Sequence, residues 1–466
     1  MAFLIGGANT TSDAAYDVAN SCRFNSGDSA YLSKTFSDGG SSRKTFTLSY
    51  WIKRTELGNE ILFGGAGGDA IYFTGTDELL VAIGSGTDDR RESDMKFRDI
   101  GAWYHIVQKF DTTQGTAANR YTLYVNGTVA TTNVVSGKND ITEDDDVDLF
   151  YGGASYIGFD GSAYGSYYLS EMVHIDGSAL AASSFGEFDE DSPTIWKPKD
   201  ISGLTFGTNG FYLDFEDSGD LGDDESGNTN DFAENNIAAT DSSTDSPTNN
   251  FATLNALQTI GTAATLSEGN LKITIGSTNW TQRTSTIAAN AGKWYAECKV
   301  DTIGSTYAAF GIIGVEDLQT NRVAHPHGAA TGVCFQFDYR DDQSAVAGND
   351  TTILSNEVNI ADDDIMGFAM DLDNGKLYWH LNGTYINSGD PTTGATGTGA
   401  VNVPTAGIYY YITYGVYNGA ILLANFGNPI VALSSAVADA DGYGAFEFAP
   451  PSGYYALNTK NLAEYG

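Results

Sequence analysis

GFAMDLDNGKLYWHLNG, residues Gly367–Gly383, is the most informative stretch of the second half of the chain. Runs of aromatic and aliphatic residues, Ile365–Asp371 and Lys376–Leu381, flank the dipeptide Asn374-Gly375, and Asn-Gly favours the positive φ angles of a hairpin turn. Asp371 and Asp373, just before this dipeptide, could also belong to a calcium-binding loop, but the strands predicted on both sides favour a hairpin. The sequence therefore predicts an antiparallel strand pair here.

Short runs of aromatic and aliphatic residues like these recur along the chain on both sides of this stretch. The 466 residues include 27 Tyr, 24 Phe and 55 Gly but only 9 Pro, which is typical of strands joined by turns. Asn126-Gly127, after the run YTLYV, predicts a second hairpin. Ser178–Phe188 is the clearest helical candidate of the first half. The length favours two hydrophobic cores, so the predicted fold is all-β, with two antiparallel β-sandwiches in series and a C-terminal extension.

The domain boundaries follow from a change in composition in the middle of the chain. After the run GFYLDF (Gly210–Phe215), residues become mostly Asp, Gly, Ser, Thr and Asn, with little to bury. We therefore predict a first sandwich over 1–235, a linker over 236–254, a second sandwich over 255–430 and an extension over 431–466.

Four motifs in the first half occur in the order of a known family. They are TFTLSYWIKR (Thr45–Arg54), GAWYHIVQKFD (Gly101–Asp111), YTLYVNGT (Tyr121–Thr128) and YIGFDGSAYGSYYLSEMVHIDGSALAASSF (Tyr156–Phe185). Together they resemble a laminin-G-like domain, and the resemblance implies a concanavalin-like sandwich.

The second half is similar to SPRY domains, which are sandwiches of the same general type. The motifs that carry this resemblance are KWYAECKV (Lys293–Val300), YAAFGIIGVED (Tyr307–Asp317), DDDIMGFAMDLDNGKLYWHLNGT (Asp362–Thr384) and YITYGVYNGAILLANFG (Tyr411–Gly427).

The two domains together, with the acidic connector DFEDSGDLGDDESGNTNDF (Asp214–Phe232) and the ending PPSGYYALNTKNLAEYG (Pro450–Gly466), resemble virion structural proteins of tailed phages of marine bacteria. This resemblance implies a non-enzymatic virion surface or tail-associated protein, made in the host cytoplasm, that binds a host surface glycan or protein during adsorption. Other virion proteins and further copies of this chain would be its partners. Two alternatives remain open: a decoration or connector protein without a receptor role, and a secreted lectin or sandwich-fold glycoside hydrolase.

The charge of the chain excludes several partners. Lys and Arg total 23 against 60 Asp and Glu, which gives a formal net charge of −37. No basic face is available to neutralise a phosphate backbone, so nucleic acid is not expected as a partner. Residues 391–438 carry no charged side chain, but glycine, proline and asparagine interrupt them every few positions, so insertion into a membrane is not expected either.

The acidic connector suggests calcium as a cofactor. Calcium takes six to eight oxygen ligands, and the connector offers many carboxylates without a neighbouring Lys or Arg. The candidate metal ligands are Asp217, Asp220, Asp223, Asp224 and Glu225. A solvated acidic loop explains the same residues equally well, so both interpretations stay open.

Aromatic side chains in loops are the candidates for ligand contact. Sugars place their C–H faces on such rings and hydrogen-bond to polar neighbours, whereas tryptophans inside strand motifs are expected to pack in the core. The candidate ligand-binding residues are Tyr151, Tyr156, Tyr164 and Tyr167 in the first half, and Tyr339, Tyr385 and Tyr417 in the second.

No catalytic residues and no residues for an organic cofactor are predicted. Retaining glycoside hydrolysis needs two carboxyl groups about 5 Å apart. Glu171 and Asp176 are five residues apart in the chain, which places them on opposite faces of a regular strand. A nucleophile elbow and a phosphate-binding glycine motif are both lacking in the sequence. We therefore expect a binding protein and not an enzyme.

Overall fold

The protein consists of two compact units, the first ending at Thr248 and the second beginning at Asn249. A computed structural model describes residues 16–84, 88–304, 307–319, 334–340, 343–348, 351–355, 358–405 and 407–466. Within these residues, no helix has the length and apolar composition needed to span a bilayer.

The first unit contains eighteen strands in its described residues. They are β1 (Ser21–Phe24), β2 (Tyr31–Thr35), β3 (Thr45–Arg54), β4 (Glu60–Gly64), β5 (Ala70–Phe73), β6 (Glu78–Ile83), β7 (Asp89–Lys96), β8 (Trp103–Asp111), β9 (Tyr121–Val125), β10 (Thr128–Ala130), β11 (Thr132–Val134), β12 (Ala154–Ile157), β13 (Tyr167–Asp176), β14 (Gly186–Phe188), β15 (Trp196–Pro198), β16 (Phe211–Leu213), β17 (Ala233–Asn235) and β18 (Ser242–Ser243). Short 3-10 helices lie at Ser26–Asp28, Ala66–Gly68, Ala117–Asn119, Ala182–Ser184 and Ala239–Asp241.

Two antiparallel sheets form the first sandwich. One has the order β10-β9-β8-β3-β13-β1-β18, with β16 also paired to β13, and the other has the order β11-β7-β6-β5-β4-β12-β2-β17. Alternate residues of each strand face the interior, where Leu48, Tyr50 and Ile52 of β3 pack against Leu62 and Ile71 of the opposite sheet. The all-β sandwich prediction is confirmed for this unit.

The second unit is a sandwich of the same kind. Its strands are β19 (Ile260–Gly261), β20 (Thr265–Ser267), β21 (Lys272–Thr274), β22 (Thr281–Ala289), β23 (Lys293–Thr302), β24 (Tyr307–Gly314), β25 (Cys334–Arg340), β26 (Gln343–Gly348), β27 (Thr351–Ser355), β28 (Ile365–Asp371), β29 (Lys376–Leu381), β30 (Thr384–Tyr385), β31 (Val401–Asn402), β32 (Tyr410–Val416), β33 (Ile421–Asn425) and β34 (Tyr455–Ala456). Short 3-10 helices lie at Val315–Gln319, Ile386–Ser388 and Pro391–Thr396. One α-helix, α1 (Thr459–Tyr465), lies in the described part of the chain.

The sheets of the second sandwich have the orders β19-β22-β32-β24-β25-β26-β27 and β20-β21-β33-β23-β28-β29-β30, with β31 on β29 and β34 on β23. Trp294, Phe368 and Trp379 of one sheet meet Phe310 and Tyr414 of the other in the core. Burial of these large rings contributes to the hydrophobic stabilisation of the unit.

The two predicted turns differ in length. Val125 pairs with Thr128, and Asn126 and Gly127 have φ angles of 46° and 75°, so this two-residue turn is as predicted. After Asp371 the structure places four residues, 372–375, before the pairing resumes at Lys376. Asn374 donates its backbone and side-chain N–H groups to the carboxylate of Asp371, at 3.0 and 2.9 Å, and this widens the loop.

The predicted helix Ser178–Phe188 is wrong. Ala182–Ser184 forms one 3-10 turn, and Gly186–Phe188 is the strand β14, which pairs with β15. Ala182 and Phe185, the buried apolar residues of this segment, pack with Val107 and Val173 of the sheet, so no continuous helical face is needed to bury them.

The segment 236–254, which composition predicts to be a linker, is packed, and the boundary between the two units at 248/249 lies inside it. Ser242 and Ser243 of β18 pair with β1, and Asp245 is fully buried in the first unit. In the second unit, Phe251 and Leu254 are also buried. Buried polar side chains of this segment such as Asp245 and Thr248 have hydrogen-bond partners within the fold, which composition alone does not reveal.

The C-terminal segment packs on the second sandwich. Tyr455 and Ala456 pair in parallel with Trp294 and Tyr295 of β23. Asn458 caps α1 by accepting a hydrogen bond from the backbone N–H of Asn461 at 2.9 Å. Residues from this segment thereby cover the outer face of the sheet that contains β23.

Candidate functional site

An aromatic patch lies on the outer face of the first sandwich, where β2 and β12 are neighbours. Tyr156 pairs with Ser33, and Ile157 pairs with Leu32. Leu32 and Ile157 are fully buried in the core. Because side chains alternate along a strand, Tyr31, Ser33 and Tyr156 point to the opposite, outer face.

The loop that follows β12 folds back onto this face and adds two more rings. Gly158 has a φ of 86°, and its N–H donates to the carbonyl of Leu62 at 2.8 Å, which turns the chain. Phe159 then bridges to Tyr164. The carboxylate of Asp160 accepts hydrogen bonds from the backbone N–H groups of residues 162 and 163, both at 2.8 Å, and so closes the loop.

Four rings form the aromatic patch: Tyr31, Tyr156, Phe159 and Tyr164. Phe159 and Tyr164 are stacked with centroids 4.6 Å apart, and Phe159 lies 4.9 Å from Tyr31 and 5.2 Å from Tyr156. All four side chains are partly exposed. Contiguous, partly exposed rings on an outer sheet face can serve as a binding surface.

Polar groups border the aromatic patch. Asn235 of β17 pairs with Tyr31, and its side-chain amide donates to the hydroxyl of Ser33 at 2.9 Å. Asp160 and Ser162 lie in the loop on the opposite side. Rings with hydroxyl, amide and carboxylate neighbours provide what a sugar needs: an apolar surface and adjacent hydrogen-bonding groups.

The sequence named two of the four patch residues, Tyr156 and Tyr164. It missed Tyr31 and Phe159. The alternation in YLSKT, with Leu32 directed inward, is a local signal for Tyr31. The position of Phe159 depends on the way the loop folds back, for which the sequence gives no comparable signal.

A smaller aromatic cluster in the second unit contains Tyr417. Its ring lies 4.7 Å from Tyr307 and 5.6 Å from Trp280. The three residues stand at the ends of β24, β22 and β32, which meet at one end of their sheet. Trp280 is almost fully buried, so this cluster offers less open ring surface than the aromatic patch.

Two of the predicted tyrosines are in the core, and the prediction that they lie in loops is wrong. Tyr167 is in β13 and fully buried, where its hydroxyl donates to the carbonyl of Leu62 at 2.9 Å. Tyr339 is in β25 and is also buried. Both occupy inward positions of strands, so neither side chain is accessible to a ligand.

The last two predicted tyrosines are partly exposed but engaged elsewhere. Tyr151 lies under the guanidinium of Arg43, with 5.3 Å to the ring centroid, and its hydroxyl donates to the carbonyl of Asp38 at 2.7 Å. Tyr385 packs edge-on against His380 at 5.2 Å. Neither residue joins the aromatic patch.

The carboxylates of the acidic connector act largely as turn acceptors. Asp224 is buried and accepts hydrogen bonds from the backbone N–H groups of Tyr212, Ser226 and Asn230, at 2.9, 2.9 and 2.7 Å. Asp217 accepts from Gly219 at 2.8 Å. These bonds hold the carboxylates in separate turns.

Several of the other connector carboxylates repel one another. The negative charge of Asp214, and to a smaller extent burial, raises the pKa of Glu225. Burial and then the charge of Asp231 raise the pKa of Asp223. Within the described residues, no three His, Cys, Asp or Glu side chains are grouped closely enough to hold a metal ion. Calcium binding stays a prediction.

Glu171 and Asp176 have separate structural partners. The pairing of β13 with β3 shifts between Ser170 and Val173, and Glu171 has a φ of 50°, so the strand contains a β-bulge and is not regular as the sequence suggested. Asp176 accepts hydrogen bonds from the N–H groups of residues 41, 42 and 209, at 2.7, 2.9 and 2.9 Å. Glu171 instead accepts from the hydroxyls of Tyr212 and Tyr16, at 2.8 and 3.1 Å.

The pH dependence of stability should report on Glu171. Burial raises the pKa of its carboxyl to about 7 in the folded protein, above the ordinary value of 4.5. The folded state therefore retains this proton longer than the unfolded state. The stabilising contribution of Glu171 is fully present below about pH 4.5 and is lost as the pH rises through 7, which lowers the free energy of unfolding by about 3 kcal/mol.

The measurement compares urea unfolding of the wild-type protein and Glu171→Gln between pH 4 and 8.5. The difference between the two curves isolates Glu171 from other buried groups, such as Glu60, whose pKa burial also raises. Parallel curves for the two proteins across this range would contradict the assignment.

Comparison with known proteins identifies part of the first unit. Residues 25–172, about a third of the chain, match the model of a family described as the concanavalin A-like lectin/glucanases superfamily, Laminin_G_3. All four residues of the aromatic patch lie within the matched segment. No relative was found among curated protein sequences.

Several solved structures are similar to parts of the chain at low identity. The SPRY domain of human HERC1 is 9% identical, with 37% of this chain and 96% of that chain covered and a TM-score of 0.29. A candidate carbohydrate-binding protein from Bacteroides ovatus is 17% identical, with 47% and 59% covered and a TM-score of 0.34. A heptameric SAP-like pentraxin from Limulus polyphemus is 17% identical, with 36% and 80% covered and a TM-score of 0.26.

Proposed function

We propose that this chain is a non-enzymatic carbohydrate-binding protein that holds a glycan on the aromatic patch of its first sandwich. The observation that carries the proposal is the group of four partly exposed rings, Tyr31, Tyr156, Phe159 and Tyr164, on an outer sheet face. The match of this region to a lectin and glucanase superfamily supports it. Glu171 and Asp176 accept hydrogen bonds from different parts of the fold and do not form the pair of carboxyl groups that glycoside hydrolysis needs, which favours binding over hydrolysis.

The net charge of the chain indicates the kind of glycan. At −37, the protein repels polyanions such as sulfated or uronic-acid polysaccharides. A neutral glycan meets no such repulsion, and its C–H faces match the exposed rings. We therefore propose a neutral surface glycan as the ligand.

The biological setting that we propose is the surface or tail of a phage particle, where the protein attaches to a bacterial host during adsorption. The connector and C-terminal motifs resemble those of phage virion proteins, and the glycan site supplies a means of attachment. The final segment is engaged by its own sandwich through β34 and α1, which favours an adsorption role over that of a connector held by this segment.

Binding to a glycan array, followed by titration with the best neutral glycan, tests the proposal. We expect Tyr156→Ala and Tyr164→Ala each to weaken binding about tenfold, since one ring contact contributes roughly 1–1.5 kcal/mol. Tyr151→Ala is the matched control, because Tyr151 is a partly exposed tyrosine outside the patch, and it should bind as the wild type does. Running the assay with calcium and with a chelator tests the predicted cofactor.

Two results would contradict the proposal. One is the absence of glycan binding by the folded wild-type protein in both conditions. The other is binding that Tyr156→Ala and Tyr164→Ala leave unchanged, which would place the site elsewhere. Cleavage of the bound glycan would overturn the non-enzymatic part.

A further inference from the structure

A groove lies on the outer face of the second sandwich, between its sheet and the segment that follows β33. Its floor includes Lys299 of β23, Ile365 of β28 and Leu423 of β33, and Pro429 and Ile430 form part of its wall. The chain neighbours of the floor residues, such as Cys298 and Met366, point into the core, so the floor residues face outward. This site is in the other unit from the aromatic patch, and it stands independently of the proposed glycan function.

The size of the groove limits its ligand. Its volume is about 230 Å³, which is the space of about eight water molecules and is smaller than the pockets that hold drug-sized compounds. The apolar side chains of the floor and wall suit a short aliphatic part. A small molecule of about six to twelve non-hydrogen atoms fits these limits.

The charged groups of the groove are mainly acidic. Asp363, Glu297 and Glu447 line it together with one cation, Lys299. The ammonium of Lys299 forms an ion pair with Asp363 at 2.9 Å. Hydrogen bonds from Ser434, together with the positive charge of Lys299, lower the pKa of Glu447 and keep its carboxyl ionised.

Glu297 is not available to a ligand. One carboxylate oxygen accepts from the Tyr295 hydroxyl at 3.0 Å and the Phe448 N–H at 2.9 Å, and the other accepts from the Glu447 N–H at 2.9 Å and the Asn425 amide at 3.3 Å. Its four bonds use its acceptor capacity. Asp363, with a largely exposed side chain, is left as the acidic group best placed to meet a ligand at the mouth.

We propose that this groove binds a small organic amine, with the ammonium group held by Asp363, the charge of Glu447 adding to the attraction, and the aliphatic part lying on Leu423 and Ile430. The ammonium of Lys299 already lies among these acidic side chains, and the groove has more carboxylates than ammonium groups. An added ammonium therefore meets net attraction, which the charge of the whole chain increases.

Four probes test whether binding depends on the positive charge of the ligand or on its shape, and which type of amine binds. They are pentylamine and glucosamine, with pentanol and glucose as their uncharged counterparts, titrated into the full-length protein by calorimetry at low ionic strength. We expect at least one amine to bind at least tenfold more tightly than its uncharged counterpart. Binding of pentylamine alone would identify an alkylamine site, and binding of glucosamine alone an amino-sugar site.

Substitutions at the groove give effects of opposite sign. Lys299→Met removes the competing cation and should tighten amine binding by about tenfold, whereas Asp363→Asn should weaken it by a similar factor. Leu423→Trp fills the groove and should abolish binding. Lys376→Met changes the net charge by the same amount at a lysine outside the groove lining, and it should have no effect. The melting temperature of each variant verifies that it is folded.

Three outcomes would overturn the proposal. The first is that none of the probes binds. The second is that pentanol or glucose binds as tightly as its amine. The third is that binding survives in folded Leu423→Trp, or that Lys299→Met fails to increase the affinity, since either result would place the amine outside this groove.

Discussion

Replacing Asp245 by alanine is expected to lower the free energy of unfolding by about 3–5 kcal/mol. Asp245 accepts a hydrogen bond from the Lys53 ammonium at 2.7 Å and from the Trp103 indole N–H at 3.0 Å. The Lys53 side chain is only 1% exposed, and that of Asp245 is fully buried. The substitution leaves a buried cation without its carboxylate, and desolvation of that charge is the source of the loss.

Urea unfolding of the full chain, monitored by tryptophan fluorescence, measures this loss. Asp144→Ala is the matched control, because Asp144 pairs with Lys44 at 3.2 Å but is 65% exposed, and its loss should cost less than about 1 kcal/mol. The double variant Lys53→Met/Asp245→Ala should recover part of the stability, since it removes the unpaired charge. An Asp245→Ala protein as stable as the control would contradict the prediction.

Replacing Glu297 by alanine is expected to destabilise the second sandwich by about 2–4 kcal/mol. The carboxylate joins β23 to the segment around Glu447 and Phe448 by accepting both of their backbone N–H groups at 2.9 Å. The change removes four hydrogen bonds in a region where Glu297 itself is 2% exposed. Donors left without an acceptor in a buried site carry most of the cost.

The loss should have a local signature as well as a global one. Limited proteolysis of Glu297→Ala should cut near residues 434–448 earlier than it does in the wild-type protein, because the segment is less firmly held. Glu316→Ala, at an exposed glutamate of the same unit, should change the free energy of unfolding by less than about 0.5 kcal/mol. Equal stability and equal cleavage in both variants would refute this role of Glu297.

The strands were predictable because their signals are local. Alternation, Asn126-Gly127 and the runs on both sides of Asn374-Gly375 each act over a few residues, and each leads to a strand pair in the structure. The bulge at Glu171 was not predictable, because it depends on how β13 is paired with β3 and on the two tyrosine hydroxyls that meet the carboxylate. Composition was misleading at 236–254, where polar residues such as Asp245 are buried by specific partners.

The aromatic patch shows where local reasoning reaches its limit. The sequence predicted Tyr156 and Tyr164 as ligand contacts in loops, but Tyr156 lies in the strand β12. Tyr31 joins them only because β2 and β12, more than a hundred residues apart in the chain, are neighbours in one sheet. Tyr167, three residues after Tyr164, has the same chemistry but faces the core. Tyr164 lies in the loop before β13 and Tyr167 lies in the strand itself, so the position at which the strand begins decides between the two environments.

The long separation in sequence between the segments that close each sandwich should set the order of events during folding. Ser21 hydrogen-bonds to the carbonyl of Asp245, 224 residues later, and Trp294 of β23 pairs with Tyr455. These contacts cannot form until the late segments have been synthesised. We therefore expect each unit to fold slowly and only after its last strand is available, with apolar sheet surface exposed to aggregation in the interval.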